Sequence, residues 1–359
     1  MEETPVAFAL IGDPQYADRE SCGERNYRSG HRLHRETVRR LNGIRDLDFV
    51  VSLGDLGDGF SREEIPLMLE NLRLSTVPVR HVVGNHDYVQ YSESELLNLF
   101  GLNSMSYDFS VGKVRFIVLN GLDVSRFSPP GSVRRRLAAE FRAAHPWLDL
   151  REWDGMLSTD SKAYLKEKLE ASRDAGELAV IFCHVPLWLD ASGENARMWD
   201  HQELLELLDG FDHVRGWFSG HYHPGGIALR NGVLHKTVRA ICNAATPTAN
   251  GSNRSTSPRS GMVFRFWNNS SASTATRCSS RSGCCRRTNS PFRSASPSIR
   301  PPAARSSMPI SRPACRGCSP EATSCTSTIW SISSRSRRRR RPARRCATSR
   351  ATVPPNAAR

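Results

Sequence analysis

The sequence predicts an α/β domain over residues 1–250, followed by a segment of different character. Three observations predict it. Short β-branched and apolar runs alternate with stretches whose apolar residues recur at helical spacing. Five of the predicted strands end on a polar residue of ligand-binding type: Asp13, Asp55, Asn85, His184 and His221. Finally, composition changes abruptly near Asn250. The first 250 residues hold 31 Leu and carry 28 Lys and Arg against 35 acids, a net charge of −7. The last 109 hold no Leu and carry 22 Arg against Glu321 alone, a net of +21. The overall +14 and the isoelectric point near 9.7 therefore belong to the tail, and the nucleic-acid partner they suggest is withdrawn for the domain.

The elements follow in order. Val6–Ile11 reads as a buried strand ending at Gly12-Asp13, and residues 31–44 read as a helix with Leu33, Val38, Leu41 and Ile44 on one face. Phe49–Leu53 is a second strand ending at Gly54-Asp55. A helix bearing Ile65, Leu69 and Leu72 leads to strand 79–83, which ends at Gly84-Asn85. Val114–Leu119 and Leu178–Cys183 are further apolar strands, the second ending at His184 and preceded by a helix from Asp160, its expected N-cap, to Ser172. Residues 123–159 are irregular and Arg-rich, and read as an insertion lying over the surface. Helix 200–208 leads to strand Val214–Phe218, which ends at Gly220-His221. Residues 227–238 form a hairpin about Asn231-Gly232, the preferred two-residue turn.

In α/β sheets the carboxyl ends of strands are where loops converge on ligands. The segments there are Gly12-Asp13-Pro14-Gln15, Gly54-Asp55-Leu56-Gly57-Asp58, Gly84-Asn85-His86-Asp87, Cys183-His184 and Gly220-His221-Tyr222-His223. Singly, each is as easily a turn or a helix cap. His221 and His223 share a face if their segment is extended. Carboxylate, amide and imidazole are all donors for hard or borderline metal ions, and together, in this order, the five segments point to a metal centre. No G-x-x-x-x-G-K-[ST] or G-x-S-x-G occurs, so P-loop and nucleophile-elbow chemistry are set aside.

These segments resemble the calcineurin-like metallophosphoesterase superfamily, whose signature runs D-x-H, G-D-x-x-D, G-N-H-D/E, a lone His and G-H-x-H. The likeness is nearest to the manganese-dependent ADP-ribose/CDP-alcohol diphosphatases. It extends over roughly residues 6–245, through Ile11–Asp18 (where Gln15 replaces the usual His), 118–125, Met198-Trp199-Asp200 and 220–226. Tyr222 stands where the family has an acid, and Asn120 and Leu122 where it has Asp and Tyr. Asp58 stands where purple acid phosphatases have the Tyr of an iron–tyrosinate site.

The resemblance implies a four-layer sandwich of two mixed β-sheets flanked by helices, and a centre of two divalent ions. Asp13, Gln15, Asp55 and His223 would hold the first. Asp55 would bridge to a second held by Asn85, His184 and His221. Such a pair clamps a phosphoryl group and makes water acidic enough to ionise near neutral pH. The oxygen of Gln15 favours manganese, with magnesium, iron or zinc as alternatives. His86 would protonate the leaving group, with Asp87 orienting its ring. Arg25, Arg28, Arg32 and Arg35 either meet phosphate oxygens or form a solvated helix face. The implied activity is hydrolysis of a small phosphorylated substrate, nucleotide-linked as in ADP-ribose or CDP-alcohols. A phosphomonoesterase, a cyclic-nucleotide phosphodiesterase and a non-catalytic remnant of the fold are the alternatives.

Nothing in the sequence reads as a signal peptide or membrane span, and Cys22, Cys183 and Cys242 are too few for a disulfide framework, so the expected location is cytoplasmic. Residues 251–359 read as a disordered tail rich in Arg, Ser, Pro and Cys. Leu and Lys vanish together there, as translation of a GC-rich gene in the wrong frame would produce. On that reading the domain lacks its final strands and is marginally stable. Cys315-x-x-Cys318 lacks a partner pair and any nearby His, against a zinc site. The run 331–341 is an RNA-binding candidate only if the tail is genuine.

Overall fold

The computed structural model describes residues 5–243, 261–267 and 329–333. Two mixed sheets pack face to face with helices outside them. The first holds β1 (Val6–Ile11), β2 (Phe49–Ser52), β3 (Val79–His81), β10 (Gly261–Trp267) and β11 (Ile329–Ser333), in the order β11-β10-β1-β2-β3. The second holds β4 (Tyr107–Val111), β5 (Val114–Leu119), β6 (Leu178–Cys183), β7 (Val214–Ser219), β8 (Gly226–Arg230) and β9 (Val233–Thr237), in the order β4-β5-β6-β7-β9-β8. The central strands β1-β2-β3 and β5-β6-β7-β9 are parallel, while β4 and β8 close the second sheet antiparallel. Helices α1 (Tyr27–Leu41), α2 (Glu64–Leu72), α3 (Glu93–Phe100), α4 (Val133–Ala144), α5 (Thr159–Asp174) and α6 (His201–Asp209) complete the fold.

Parallel strands covered on both faces must be apolar on both, which is why β1, β2, β6 and β7 are buried along their whole length. Alternate residues divide between two cores. Phe8, Phe49, Phe116, Phe182, Phe218 and Phe264 meet between the sheets, the Phe8 ring lying 5.3–5.6 Å from the other five centroids. Ala9, Ile11, Val50, Ile117 and Ile181 face the helices. Offset and edge-on rings at this spacing add roughly 0.5–1.5 kcal/mol per pair beyond their buried area. The interior under the strand ends is therefore stiff, a property a metal centre needs.

Several expectations are corrected. The segment 123–159 does not simply overlie the surface. It contains α4, and Val124 and Met156 exchange backbone hydrogen bonds that draw its two ends together. The α5 cap is Ser158, whose hydroxyl accepts from Ser161 N–H, not Asp160. The first sheet also takes two strands, β10 and β11, from beyond residue 250. β10 runs antiparallel to β1, with Val6 opposite Phe266 and Ile11 opposite Gly261, and buries Val263 and Phe264. The expected run of disorder, the Cys315-x-x-Cys318 pair and the basic run 331–341 otherwise fall outside the described residues. Among the described residues, no helix is long and apolar enough to cross a membrane.

Candidate metal centre

All seven predicted ligand residues meet at the carboxyl ends of β1, β2, β6 and β7 and in the loop after β3. The backbone turns sharply there. Asp13, Gln15, Asp55 and His221 all have positive φ (23°, 37°, 52° and 67°), a region that L-residues enter only when the surroundings hold them. Gln15 N–H donates to the Asp55 carbonyl at 2.9 Å, and His221 N–H to Asp13 Oδ2 at 2.7 Å. The glycines beside them are required by space. A Cβ on Gly84 would come within 2.1 Å of Asp55 Oδ1, and one on Gly220 within 2.2 Å of Asp13 Oδ1.

Asp55 sits at the middle. Its Oδ2 is 3.3 Å from His184 Nε2 and accepts from Gln15 Nε2 at 3.3 Å, while Oδ1 accepts from His86 N–H at 2.8 Å. Asn85 Oδ1 lies 3.2 Å from His184 Nε2 and 2.8 Å from His221 Nδ1. Donor atoms of Asp55, His184 and His221 all lie within 4.8 Å of one another. Across from them, Asp13 Oδ2 is 3.8 Å from His223 Nε2. Each imidazole is pinned through its other nitrogen. His184 Nδ1 contacts the Leu53 carbonyl at 2.6 Å, His223 Nδ1 the Asn243 amide oxygen at 2.9 Å, and His221 Nε2 Asp154 Oδ1 at 2.7 Å. Gln15 turns its amide nitrogen toward Asp55 and its oxygen toward Cys242 Sγ at 3.6 Å, so acting as an oxygen ligand requires a half-turn of the amide.

The buried charges bear strongly on one another. Burial pushes the Asp13 carboxyl up to about 7, and neighbouring Asp55 adds to this against the pull of His184. For Asp55 burial acts in the same upward direction, but facing His184 and His86 overcome it and hold the group well below the usual carboxylate range. The same contact raises His184 to about 10 although burial opposes it. His223 is pushed down to about 4 by burial and by Arg25, and is thus a neutral donor at pH 7. Asp13 Oδ1 is buried without a hydrogen-bond partner among the described residues. Such an oxygen is costly to leave unmatched. Two buried carboxylates, an amide oxygen and three imidazoles aimed inward are a donor set that fits divalent cations of the harder or borderline kind.

The segment Asn85-His86-Asp87 differs from expectation. Asp87 does not orient His86. Its Oδ2 accepts from Asp55 N–H and Gly84 N–H and its Oδ1 from Leu56 N–H, all at 2.9 Å, which ties the β2 and β3 loops together. The reason is geometric, since Asp87 opens a 3-10 turn (Asp87–Val89) in which successive side chains diverge. Asp58 does the orienting instead: the His86 Nδ1 atom lies 2.8 Å from the Asp58 carbonyl and 3.4 Å from its Oδ1, and Arg19 steadies that carboxylate at 3.0 Å. Of the four arginines singled out, Arg28 and Arg32 form exposed ion pairs, with Asp18, Glu20 and Glu36. Arg25 lies close enough to Asp58 and His223 to bear on both. Asn120 braces its own loop, accepting from Leu122 N–H and donating to Tyr88 Oη. Asp154 and Asn243, which hold His221 and His223, were not expected.

Residues 6–225 match the family described as calcineurin-like phosphoesterase. The chain belongs to that family. Members are hydrolases of phosphate esters, and this one carries a candidate metal-binding cluster. Among relatives, the manganese-dependent ADP-ribose/CDP-alcohol diphosphatase of Arabidopsis thaliana is 26% identical over 265 residues, covering 65% of this chain and 85% of the relative. The protein of the same description from Mus musculus is 27% identical over 290 residues, covering 68% and 85%. A crystal structure titled as a dimetal phosphatase from Danio rerio superposes with a TM-score of 0.63 at 26% identity, covering 68% of this chain and 90% of that one.

Proposed function

We propose that this phosphoesterase hydrolyses the pyrophosphate of nucleoside-diphosphate-linked compounds such as ADP-ribose or CDP-alcohols, using two divalent ions, manganese by preference. The observation that carries the reading is the Gln15 loop: a buried amide stands beside Asp55 where imidazole is usual, in a chain whose diphosphatase relatives it covers to about 85% of their length. An amide oxygen is a harder donor than imidazole and supports manganese over softer ions.

Asp13, Gln15, Asp55 and His223 would hold one ion, and Asp55, Asn85, His184 and His221 the other. When bound, such ions supply the charge that polarises a phosphoryl group and acidifies water. The chain's own residues do the rest. The positive-φ loops fix the donors before substrate arrives, so little reorganisation remains at reaction. His86 keeps a partly exposed ring at the rim, its side chain 23% accessible, with Asp58 gripping Nδ1. That leaves Nε2 to hand a proton to the departing oxygen.

The deciding experiment assays the purified full chain with added manganese against ADP-ribose, CDP-choline, a simple aryl monoester and a cyclic nucleotide. Preference for the two pyrophosphates is expected. Preference for the monoester or the cyclic nucleotide overturns the substrate assignment. Asp55→Ala should lower the rate more than about 10²-fold, since misplacing reacting groups by an ångström already costs that much. An Asp55→Ala protein that stays active would remove Asp55 from the centre altogether.

A further inference from the structure

We propose that Asp154 is a positioning residue of the metal centre, acting through His221, and that the inserted segment 123–159 exists in part to deliver it. This rests on the two-ion reading above. His184 and His223 offer Nε2 to the centre and are held through Nδ1 by neutral acceptors, a backbone carbonyl and an amide. His221 is reversed. Its Nδ1 faces Asn85 Oδ1 at 2.8 Å and His184 Nε2 at 3.3 Å, while Nε2 meets a carboxylate oxygen, Asp154 Oδ1, at 2.7 Å. A carboxylate there accepts a hydrogen bond from Nε2–H, so in the neutral ring the lone pair sits on Nδ1, the atom that faces the site. Partners of this kind set tautomer and ring orientation and increase ligand basicity.

The delivery is built with care. Asp154 is 1% exposed, in a loop without regular structure. The three residues that follow it anchor it. Gly155 carbonyl accepts from Trp199 N–H at 2.9 Å, Met156 pairs with Val124, and Leu157 N–H donates to Asp200 Oδ2 at 3.1 Å. Gly155 allows the closest approach, since a Cβ there would lie 2.6 Å from the Gly121 carbonyl. The Met198-Trp199-Asp200 segment noticed in the sequence thus serves as a mooring for the Asp154 loop.

The test uses the full chain and two readouts other than turnover. In metal-free protein with ¹⁵N-labelled histidine, the His221 ring of the wild type should be the Nε2–H tautomer. Finding Nδ1–H overturns the proposal whatever the variants do. Manganese titration should then show roughly 10–100-fold weaker binding at one of two sites in Asp154→Ala, the usual effect of losing such a partner. Asp154→Asn, which keeps an acceptor oxygen, should restore most of it. Asp154→Leu, which refills the space without an acceptor, replaces the Ala variant if that one fails to fold. Unchanged affinity in a folded Ala or Leu variant sinks the proposal, and so does an Asn variant no better than Ala. A wild type that binds no manganese sinks the two-ion reading itself, a result distinct from either.

Discussion

The centre is served by two kinds of backbone. The strand-end loops 12–15, 54–58, 84–87 and 220–223 are short, three of the four enter positive φ, and they bond to one another through Asp87, Asp55 and Asp13. The segment 123–159 is long, carries exposed Val133, Leu137, Trp147, Leu148 and Trp153, and reaches the centre through Asp154. The difference teaches where rigidity comes from. Strand ends inherit position from hydrogen-bonded sheets and the phenylalanine layer beneath them. The inserted segment has no sheet of its own; Val124 and Met156 join its two ends, and it borrows position from cross-links to Trp199 and Asp200. Chemistry belongs to the first region and adjustment of one ligand to the second.

The sharpest way to break this division is His86→Ala. Turnover should fall about 10²–10⁴-fold, the usual worth of a general acid, with manganese stoichiometry unchanged by elemental analysis. Asp58→Ala should lower turnover in the same direction by less and alter its pH profile. Lost metal in His86→Ala would mean that the rim residue is a ligand.

A smaller effect lies behind the strand-end loops, on α1, which packs so closely that a Cβ on Gly30 would sit 2.4 Å from the Pro14 carbonyl. His34 is wholly buried, and burial, with His31 and His81, pushes its pKa down to about 3. The folded chain keeps this ring neutral while the unfolded chain protonates below about 6.5. Its contribution is therefore complete above pH 6.5 and drains away as pH falls toward 3. Urea titrations of metal-free protein should show the acid limb of His34→Phe flatter than wild type by about 1.4 kcal/mol per pH unit between roughly pH 6 and 4. Parallel limbs would show that the ring is hydrated or already paired.

The smallest effect is expected in the inserted segment. Trp147 is 73% exposed, and Trp147→Ala should change stability by less than about 0.5 kcal/mol and leave manganese affinity alone. A larger change in either would mean that the outer part of the segment also supports Asp154.

The same division explains what could be read in advance. Candidate ligands at strand ends were legible because the end of an apolar run marks a position in space as well as in sequence. Asp13, Asp55, Asn85, His184, His221 and His223 all qualify, and the structure brings them together. Asp154 was not legible, since Trp153-Asp154-Gly155 belongs to no periodic element and its place depends on Val124 and Trp199. Asp87 was misread for the opposite reason: adjacency in sequence suggested contact with His86, whereas Asp58 arrives from another strand. Helix α3 was missed although its signals were present, a reciprocal Ser92–Glu95 cap and Gly101 in the left-handed region at its end. Strand β4 was missed because its alternation is half-buried and weak.

The hydrogen bond from His221 N–H to Asp13 spans 208 residues of chain. A ribosome adding about 5–20 residues per second releases Asp13 some 10–40 s before its partner exists. During that interval Asp13, Gln15 and Asp55 emerge as an acidic, half-built cradle with no histidine from β6 or β7 to complete it. Loading of the centre therefore belongs to the end of synthesis, and the ion that finally occupies it would act as a clasp between the oldest and the youngest parts of the domain.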